Sequence, residues 1–404
     1  NDTRDKQLLD CILPMPPHMD NQPEIYVDIR IPNEFETHGK FNIGITAGIE
    51  TTAVSNAWIE GCNKMDLIIV PSEHSKQSFL KSIYDKVQNM PDGKQQKVGE
   101  LVLEKPIEVL FEGSNDDIYK PLKSDEISLE FFNDINDKIS EEFVFLFSGQ
   151  WGSGNFGEDR KDISRMLKIF YETFANLDNQ PALLLKTHGS NFSVLDKENC
   201  LQKIDAVKSM LPPDWKLPNA YLLHGDLKVE QMNELYNHPK IKSMVSITHG
   251  EGYGRPLQEA TMTGLPVLAS EWSGHLDFLD KNLTMLIPGE LQSIPKSIVW
   301  KDILIAESKW FVASENHFHN ALKYCFENND NFQEKAQKLM KANRENLTLN
   351  KMSSKLDNLM SEYTKSLPSH VNLKLPKLKK LNKKEAPKLK LPKLKKVNES
   401  GVVA

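Results

Sequence analysis

The sequence predicts an α/β protein of two doubly wound, Rossmann-like domains facing each other across a cleft. Three observations carry that expectation. Apolar runs of about 4–8 residues alternate with helix-length stretches, as in parallel sheets buried on both faces. The alternation breaks at a polar segment and restarts near Phe143. The chain has 404 residues, 39% of them hydrophobic, which is enough material for two separate cores.

In the first domain, expected over residues 1–121, strands are predicted at Glu24–Ile31, Phe41–Gly48, Met65–Ser72 and in "PIEVLFEGSNDDIYKP" from Pro106. Helices are predicted at Thr51–Asn63 and His74–Lys86. Four strands are few for a complete doubly wound half, so a strand–loop–helix unit is expected to be missing from the front. Residues 122–142 read as a linker. The second domain, 143–314, has predicted strands at Phe143–Gly149, Ala182–Gly189, Ala220–Gly225, Ser243–Gly250, Pro266–Glu271 and Thr284–Pro288. Its helices are expected at Arg160–Asn176, Val229–Asn237 and Pro256–Thr263. Residues 315–366 read as closing helices.

The rest of the composition narrows the class. No apolar run approaches the roughly 20 residues of a membrane span, and no signal peptide is visible. Four scattered cysteines without a CxxC argue against a disulfide framework or zinc site and fit a reducing, cytoplasmic setting. The net charge of −6 is uneven. From Leu367 onward, eleven lysines and two glutamates make +9, so the remainder carries −15. "LKLPKLKK" occurs at Leu373–Lys380 and Leu389–Lys396, each copy interrupted by a proline that opposes a helix. This 367–404 tail reads either as a disordered, solvated extension or as an electrostatic tether to anionic membrane or nucleic acid.

Gly152, Gly154 and Gly157 form a literal GxGxxG. Gln150 and Trp151 separate it from the strand, whereas a dinucleotide fingerprint turns tightly off its strand. The next strand ends in Lys186 and His188, not in a ribose-binding acid. A nicotinamide or flavin enzyme is therefore not the favoured reading, and no cofactor is expected.

"HGEGYGRPLQEA", His249 to Ala260, is more informative. It follows a predicted strand, at the sheet edge where α/β proteins bind ligands. Gly250, Gly252 and Gly254 allow positive φ and close approach to a ligand. Pro256 suits the first position of a helix, whose N-terminus offers an anion site. Glu251 and Glu259 flank that site, and carboxylates accept hydrogen bonds from hydroxyls. A central diphosphate with hydroxyl-bearing groups on both sides describes a nucleotide sugar. Two glutamates at this spacing also occur by chance; the strand, glycine loop and helix start supply the specificity.

The stretch His249–Gly274 resembles the EX7E signature of retaining GT-B glycosyltransferases, in particular family 4. "FSGQW…EDRKDI", "LLHGDLKVEQMNELY" and, in the first half, "IGITAGIETTAVSNAWIEGCNKMDLIIVPSEHSKQSF" and "VLFEGSNDDIYKP" resemble further parts of that family. The family's N-terminal glycine loop is not visible, and a histidine frequent in its first domain is replaced around Ala47–Glu50. The resemblance implies a UDP- or GDP-sugar donor and retention of anomeric configuration. It also implies roles. Glu251 would accept from donor-sugar hydroxyls and Glu259 from the ribose. Backbone N–H groups from Tyr253 to Leu257, through Gly254, Arg255 and Pro256, would hold the diphosphate. Arg160 and Lys161 would neutralise it, with Gly149 beside them at the strand end and Lys186 as a second cation. Gly225 would let the base pack on backbone.

Other residues stay open to two readings. His249 could touch the sugar or simply be packed, and Arg255 could bind phosphate or cover the surface. Lys186 could equally be a surface lysine, and His188 and His224 share the ligand-binding edge. Glu50 and Thr51 are candidates for the acceptor side. No Asp-x-Asp is present, so no metal ligand is assigned. The acceptor could be a glycan or protein, a lipid-linked saccharide or a modified DNA base, and peripheral membrane attachment is one option. The alternative function is a non-catalytic nucleotide-binding or scaffold protein of the same fold.

Overall fold

The computed structural model describes residues 6, 9–12, 22–90 and 95–365. The smaller of its two parallel sheets begins with β1 (Ile25–Ile29), β2 (Phe41–Ile45) and β3 (Leu67–Val70). Helices α1 (Asn56–Cys62) and α2 (Glu73–Lys81) follow β2 and β3. Next come an antiparallel hairpin, β4 (Tyr84–Asn89) with β5 (Gln95–Leu101), and then β6 (Ile107–Val109). The sheet order is β1-β2-β3-β6. All four residues of β3 are buried, as expected of a strand covered on both faces.

Helix α3 (Leu129–Lys138) leads into the larger sheet. That sheet contains β7 (Val144–Gln150), β8 (Ala182–His188), β9 (Ala220–Leu223), β10 (Ile241–Ser246), β11 (Val267–Ser270) and β12 (Met285–Ile287). Helices α4 (Ile163–Phe174), α5 (Val194–Lys208), α6 (Val229–Asn237) and α7 (Arg255–Thr263) connect its strands. The order β12-β11-β10-β7-β8-β9 is parallel throughout and reverses direction beside β7 and β10, a topological switch point. One face of the sheet packs Phe145, Phe147 and Val245 against Met166, Phe170 and Phe174 of α4. The other packs Leu146, Leu184 and Met244 against Leu257 and Ala260 of α7.

After β12 comes a second antiparallel hairpin, β13 (Gly289–Ser293) with β14 (Lys309–Ala313). Helices α8 (Glu315–Glu327), α9 (Asn329–Asn346) and α10 (Leu349–Tyr363) end the described chain. Helix α10 returns to the smaller sheet, where Leu356, Met360 and Tyr363 pack beside Ile43, Leu67 and Ile69. Tyr363 Oη donates to Glu108 Oε1 at 2.6 Å. Among the described residues, no helix is long and apolar enough to cross a membrane.

Several element expectations need correction. The 122–142 linker contains α3, because Ile135 and Ile139, one helical turn apart, bury themselves against Val144 and Leu184. The helix expected over His74–Lys86 ends at Lys81, and the hairpin from Tyr84 was not anticipated. Nor was α5, whose buried Cys200, Ile204 and Val207 form a narrow stripe among charges. The β13–β14 hairpin was also missed. Pro256 is the second residue of α7, after Arg255; its missing N–H is tolerated there because the first turn has no intrahelical acceptors. The Lys-rich tail, 367–404, lies outside the described residues.

Candidate active site

Most candidate side chains sit at or just past the carboxyl ends of strands in the larger sheet; Glu259 lies in α7, and Glu50 and Thr51 follow β2 of the smaller sheet. The loop after β7 is pinned to the loop after β10 at one carbonyl. Arg160 O accepts from Thr248 Oγ1 at 3.0 Å and from the His249 N–H at 2.9 Å. That seam sets Arg160 and Lys161 beside Glu251. Lys161 Nζ donates to Glu251 Oε1, and Arg160 Nη1 lies 3.2 Å from Oε2. Arg160 also reaches Glu50 Oε1 at 3.3 Å. Glu251 is 7% exposed. Burial by itself would raise its pKa, but Lys161 and Arg160 outweigh that effect and bring it to about 2. Burial moves the Lys161 ammonium the other way, below the usual lysine range. The two cations thus meet two carboxylates.

The glycines have a different task from the one expected. A Cβ on Gly250 would lie 2.2 Å from Glu50 O, and one on Gly252 would lie 2.4 Å from Ala47 O. Both positions are therefore filled by backbone of the loop after β2. Ser72 Oγ, at the cap of α2, donates to Gly252 O at 2.6 Å. Gly254, at φ +101°, is the residue that uses left-handed backbone, as the N-cap of α7. Glu251 is held from behind by Ser273, whose Oγ accepts its N–H at 2.8 Å. Ser72 and Ser273 were missed; the Ser-x-x-Ser cap at the start of α2 was the available signal for the first.

The start of α7 is narrower as an anion site than the sequence suggested. The Leu257 N–H already donates to Gly254 O at 3.0 Å, and Pro256 has no N–H. Tyr253, Gly254 and Arg255 are left as the backbone candidates. The Tyr253 and Leu257 side chains are core residues, and Tyr253 Oη accepts from Gln258 Nε2 at 2.9 Å. Glu259, one turn into the helix, is 8% exposed. It pairs with Arg255 Nη2 at 3.3 Å and accepts from Tyr236 Oη at 3.4 Å. Burial raises its pKa in spite of Arg255. Arg255 itself is exposed and 3.8 Å from Glu112.

Lys186 is not a surface residue. It is 8% exposed, and its Nζ donates to Gly225 O at 2.7 Å. Burial lowers its pKa. Gly225 has φ +135° and open space where a Cβ would be. A Cβ on Gly149 would crowd the Phe147 ring at 3.1 Å and touch the Lys161 stem at 3.4 Å. His224 Nε2 lies 2.9 Å from buried Asp196, which also accepts the Gly189 and Ser190 N–H groups. His188 packs against Phe192 with the two rings tilted by 48°.

His249 is packed. Its ring lies 3.8 Å from the Trp310 ring, nearly parallel to it. Nδ1 faces Phe311 O at 2.7 Å and Nε2 faces Gly157 O at 3.1 Å. Burial lowers its pKa even though both carbonyls favour the protonated ring. The GxGxxG glycines belong to a long loop; α4 begins only at Ile163, so they do not form a strand-to-helix turn. Gly152 and Gly154 border a cleft of about 680 Å³ that Glu50, Thr51, Arg160, His249 and Trp300 also line.

Comparison with known proteins agrees with this architecture. No family model and no curated protein matches the sequence. Solved structures do match. HepE from Anabaena, solved with UDP and glucose, aligns at TM-score 0.53 and 12% identity, over 80% of this chain and 72% of that one. Sucrose-phosphate synthase from Thermosynechococcus elongatus aligns at 0.52 and 12% identity, over 84% and 73%. A UDP-forming α,α-trehalose-phosphate synthase from Burkholderia xenovorans, solved with glucose-6-phosphate, aligns at 0.54 and 9% identity, over 81% and 68%. At these identities the likeness is one of fold: the chain folds as GT-B glycosyltransferases do.

Proposed function

We propose that this chain is a retaining, metal-independent glycosyltransferase that moves a sugar from a UDP- or GDP-sugar to an acceptor hydroxyl. The observation that carries the reading is the buried contact of Lys161 with Glu251, joined from the more exposed side by Arg160, close to the start of α7. An ionised carboxylate only accepts hydrogen bonds, so Glu251 suits the hydroxyls of a donor sugar. Arg160 and Lys161 supply the positive charge that a departing diphosphate needs, in surroundings that strengthen electrostatics. Donor binding would draw them from Glu251 toward phosphate. Backbone N–H groups at Tyr253, Gly254 and Arg255 would add to that site. Glu259 would accept from the ribose, and Gly225, with Lys186 behind it, would receive the base.

The chemistry is a front-face displacement. The bond from the sugar C1 to the diphosphate oxygen breaks as the acceptor oxygen bonds to C1 on the same face. The acceptor proton passes to the departing phosphate oxygen. Configuration is retained without a protein nucleophile. Residues 1–121 would form the acceptor side and 143–314 the donor side. The 367–404 tail would tether the protein electrostatically to an anionic surface. HepE was solved with UDP-glucose, which makes UDP-sugars the first donors to test.

A thermal-shift screen of UDP- and GDP-sugars, followed by nucleotide-release assays, tests the reading. Glu251→Ala should abolish transfer and Glu259→Ala should weaken donor binding. Full activity in both variants would overturn it. A second reading is a non-catalytic nucleotide-binding or scaffold protein. It is favoured by the pairing of Arg160 with both Glu50 and Glu251, which leaves little free charge to stabilise a departing diphosphate. Nucleotide binding without release from any donor would support it.

A further inference from the structure

The segment between β13 and β14 reaches from the larger sheet to the smaller one. Asp302 O accepts from Ser55 Oγ at 3.0 Å, and Ile303 packs on the core of the smaller sheet. Lys309 and Thr52 exchange two bonds: Thr52 N–H to Lys309 O at 3.0 Å, and Lys309 N–H to Thr52 Oγ1 at 2.9 Å. Within this anchored segment, Trp300 and Leu304 bond each other's backbone at 3.0 and 2.8 Å. The turn holding Trp300 is thus fixed at several points. Its indole is nonetheless 65% exposed, on the wall of the 680 Å³ cleft.

A single exposed aromatic residue is ordinary on a protein surface. Trp300 differs in what shares the cleft with it. Glu50, Thr51, Asn155, Glu158 and Arg160 line the same space. Ser297 and Leu304 complete the wall beside the indole. An apolar ring face combined with carboxylate, amide and hydroxyl groups matches a sugar ring, which has an apolar C–H face and a rim of hydroxyls. Within the cleft, the charges disfavour the other acceptors. Two carboxylates face one guanidinium, which already pairs with Glu50 and Glu251. A phosphate-rich nucleic acid or an anionic lipid surface needs the opposite balance.

We propose that Trp300 is the stacking platform of an acceptor subsite, and that the acceptor is a neutral saccharide. This rests on the glycosyltransferase reading and names the acceptor class that the reading leaves open.

The test uses the full chain with three probes: an immobilised array of neutral oligosaccharides, a DNA duplex containing hydroxymethylcytosine, and phosphatidylglycerol vesicles. UDP thermal shift is measured in parallel. The wild type should bind saccharides on the array. Trp300→Ala should weaken that binding by roughly tenfold, and Trp300→Phe should retain most of it. The UDP response should be the same in all three proteins, which also shows that the variants fold. Saccharide binding unaffected by Trp300→Ala would overturn the proposal. So would no binding to the array together with duplex or vesicle binding that Trp300→Ala weakens. Loss of the UDP response in the wild type, with Trp300-dependent saccharide binding intact, would overturn the donor reading alone.

Discussion

Lys161 donates to Glu251 across an ion pair whose side chains are only 10% and 9% exposed. A buried pair of this kind is costly to break from one side, because the remaining charge is left without a partner. Glu251→Gln should therefore reduce unfolding free energy by about 3 kcal/mol and turnover by roughly 100-fold or more. Urea unfolding and nucleotide release read the two effects separately. Lys161→Met combined with Glu251→Gln should recover part of the stability but none of the turnover.

The same pair sets a pH dependence. The Glu251 pKa falls from 4.5 to about 2 on folding. A depressed carboxylate contributes stability that is fully present above its unfolded pKa and lost as pH falls through the folded one. The urea midpoint should drop between pH 4.5 and 2, and this part of the drop should be absent in Glu251→Gln. A wild-type profile identical to that of the variant would refute the assignment.

Glu259 has the opposite sign. Its pKa is raised by burial, so its contribution is favourable below the unfolded pKa and is lost as pH rises through the folded one. Glu259→Gln should raise the urea midpoint at pH 7 relative to wild type, with the gain shrinking in acid. Donor affinity should fall in the same variant, separating its cost in stability from its use in binding.

The glycine contacts predict a graded series. Gly250→Ala and Gly252→Ala place a Cβ 2.2 and 2.4 Å from a backbone carbonyl of the facing loop. Each should cost about 2–3 kcal/mol, with an increased radius of gyration in solution scattering if the two layers separate. Gly152→Ala, where a Cβ meets nothing within 4 Å, should stay within about 0.5 kcal/mol. Gly225→Ala has room but sits at φ +135°, and should cost about 1 kcal/mol through backbone strain.

Lys186→Met should weaken UDP binding by calorimetry with little loss of stability. The methionine fills the same space and removes a buried charge, but Gly225 O loses its donor. An unchanged UDP affinity would mean that Lys186 only supports the loop.

Much of the fold was legible before the structure. β3 and β7 announce themselves as short apolar runs because both faces of each sheet are covered. Glycine, proline and helix start in 249–260 marked the edge of the sheet that binds ligands. The elements that escaped were those whose apolar stripe is thin. α3 carries Ile135, with Ile139 just past its end, among Asp, Asn and Lys, and α5 shows Cys200, Ile204 and Val207 among charges. The two hairpins carry exposed faces with no strong alternation.

Local pattern alone was enough to establish two parallel sheets, a glycine loop between two glutamates and a helix start behind it. Periodicity and backbone preference act within a few residues, and those features need nothing more. The tertiary structure decided which partners meet. It set Lys161 and Arg160 on Glu251, buried Lys186 under Gly225, packed His249 between Trp310 and two carbonyls, and used Gly250 and Gly252 to seat one sheet's loop on the other's. The bond from Ser72 to Gly252 joins residues 180 apart in the chain. It is made to a backbone carbonyl, so no side-chain pattern at Gly252 could have revealed it.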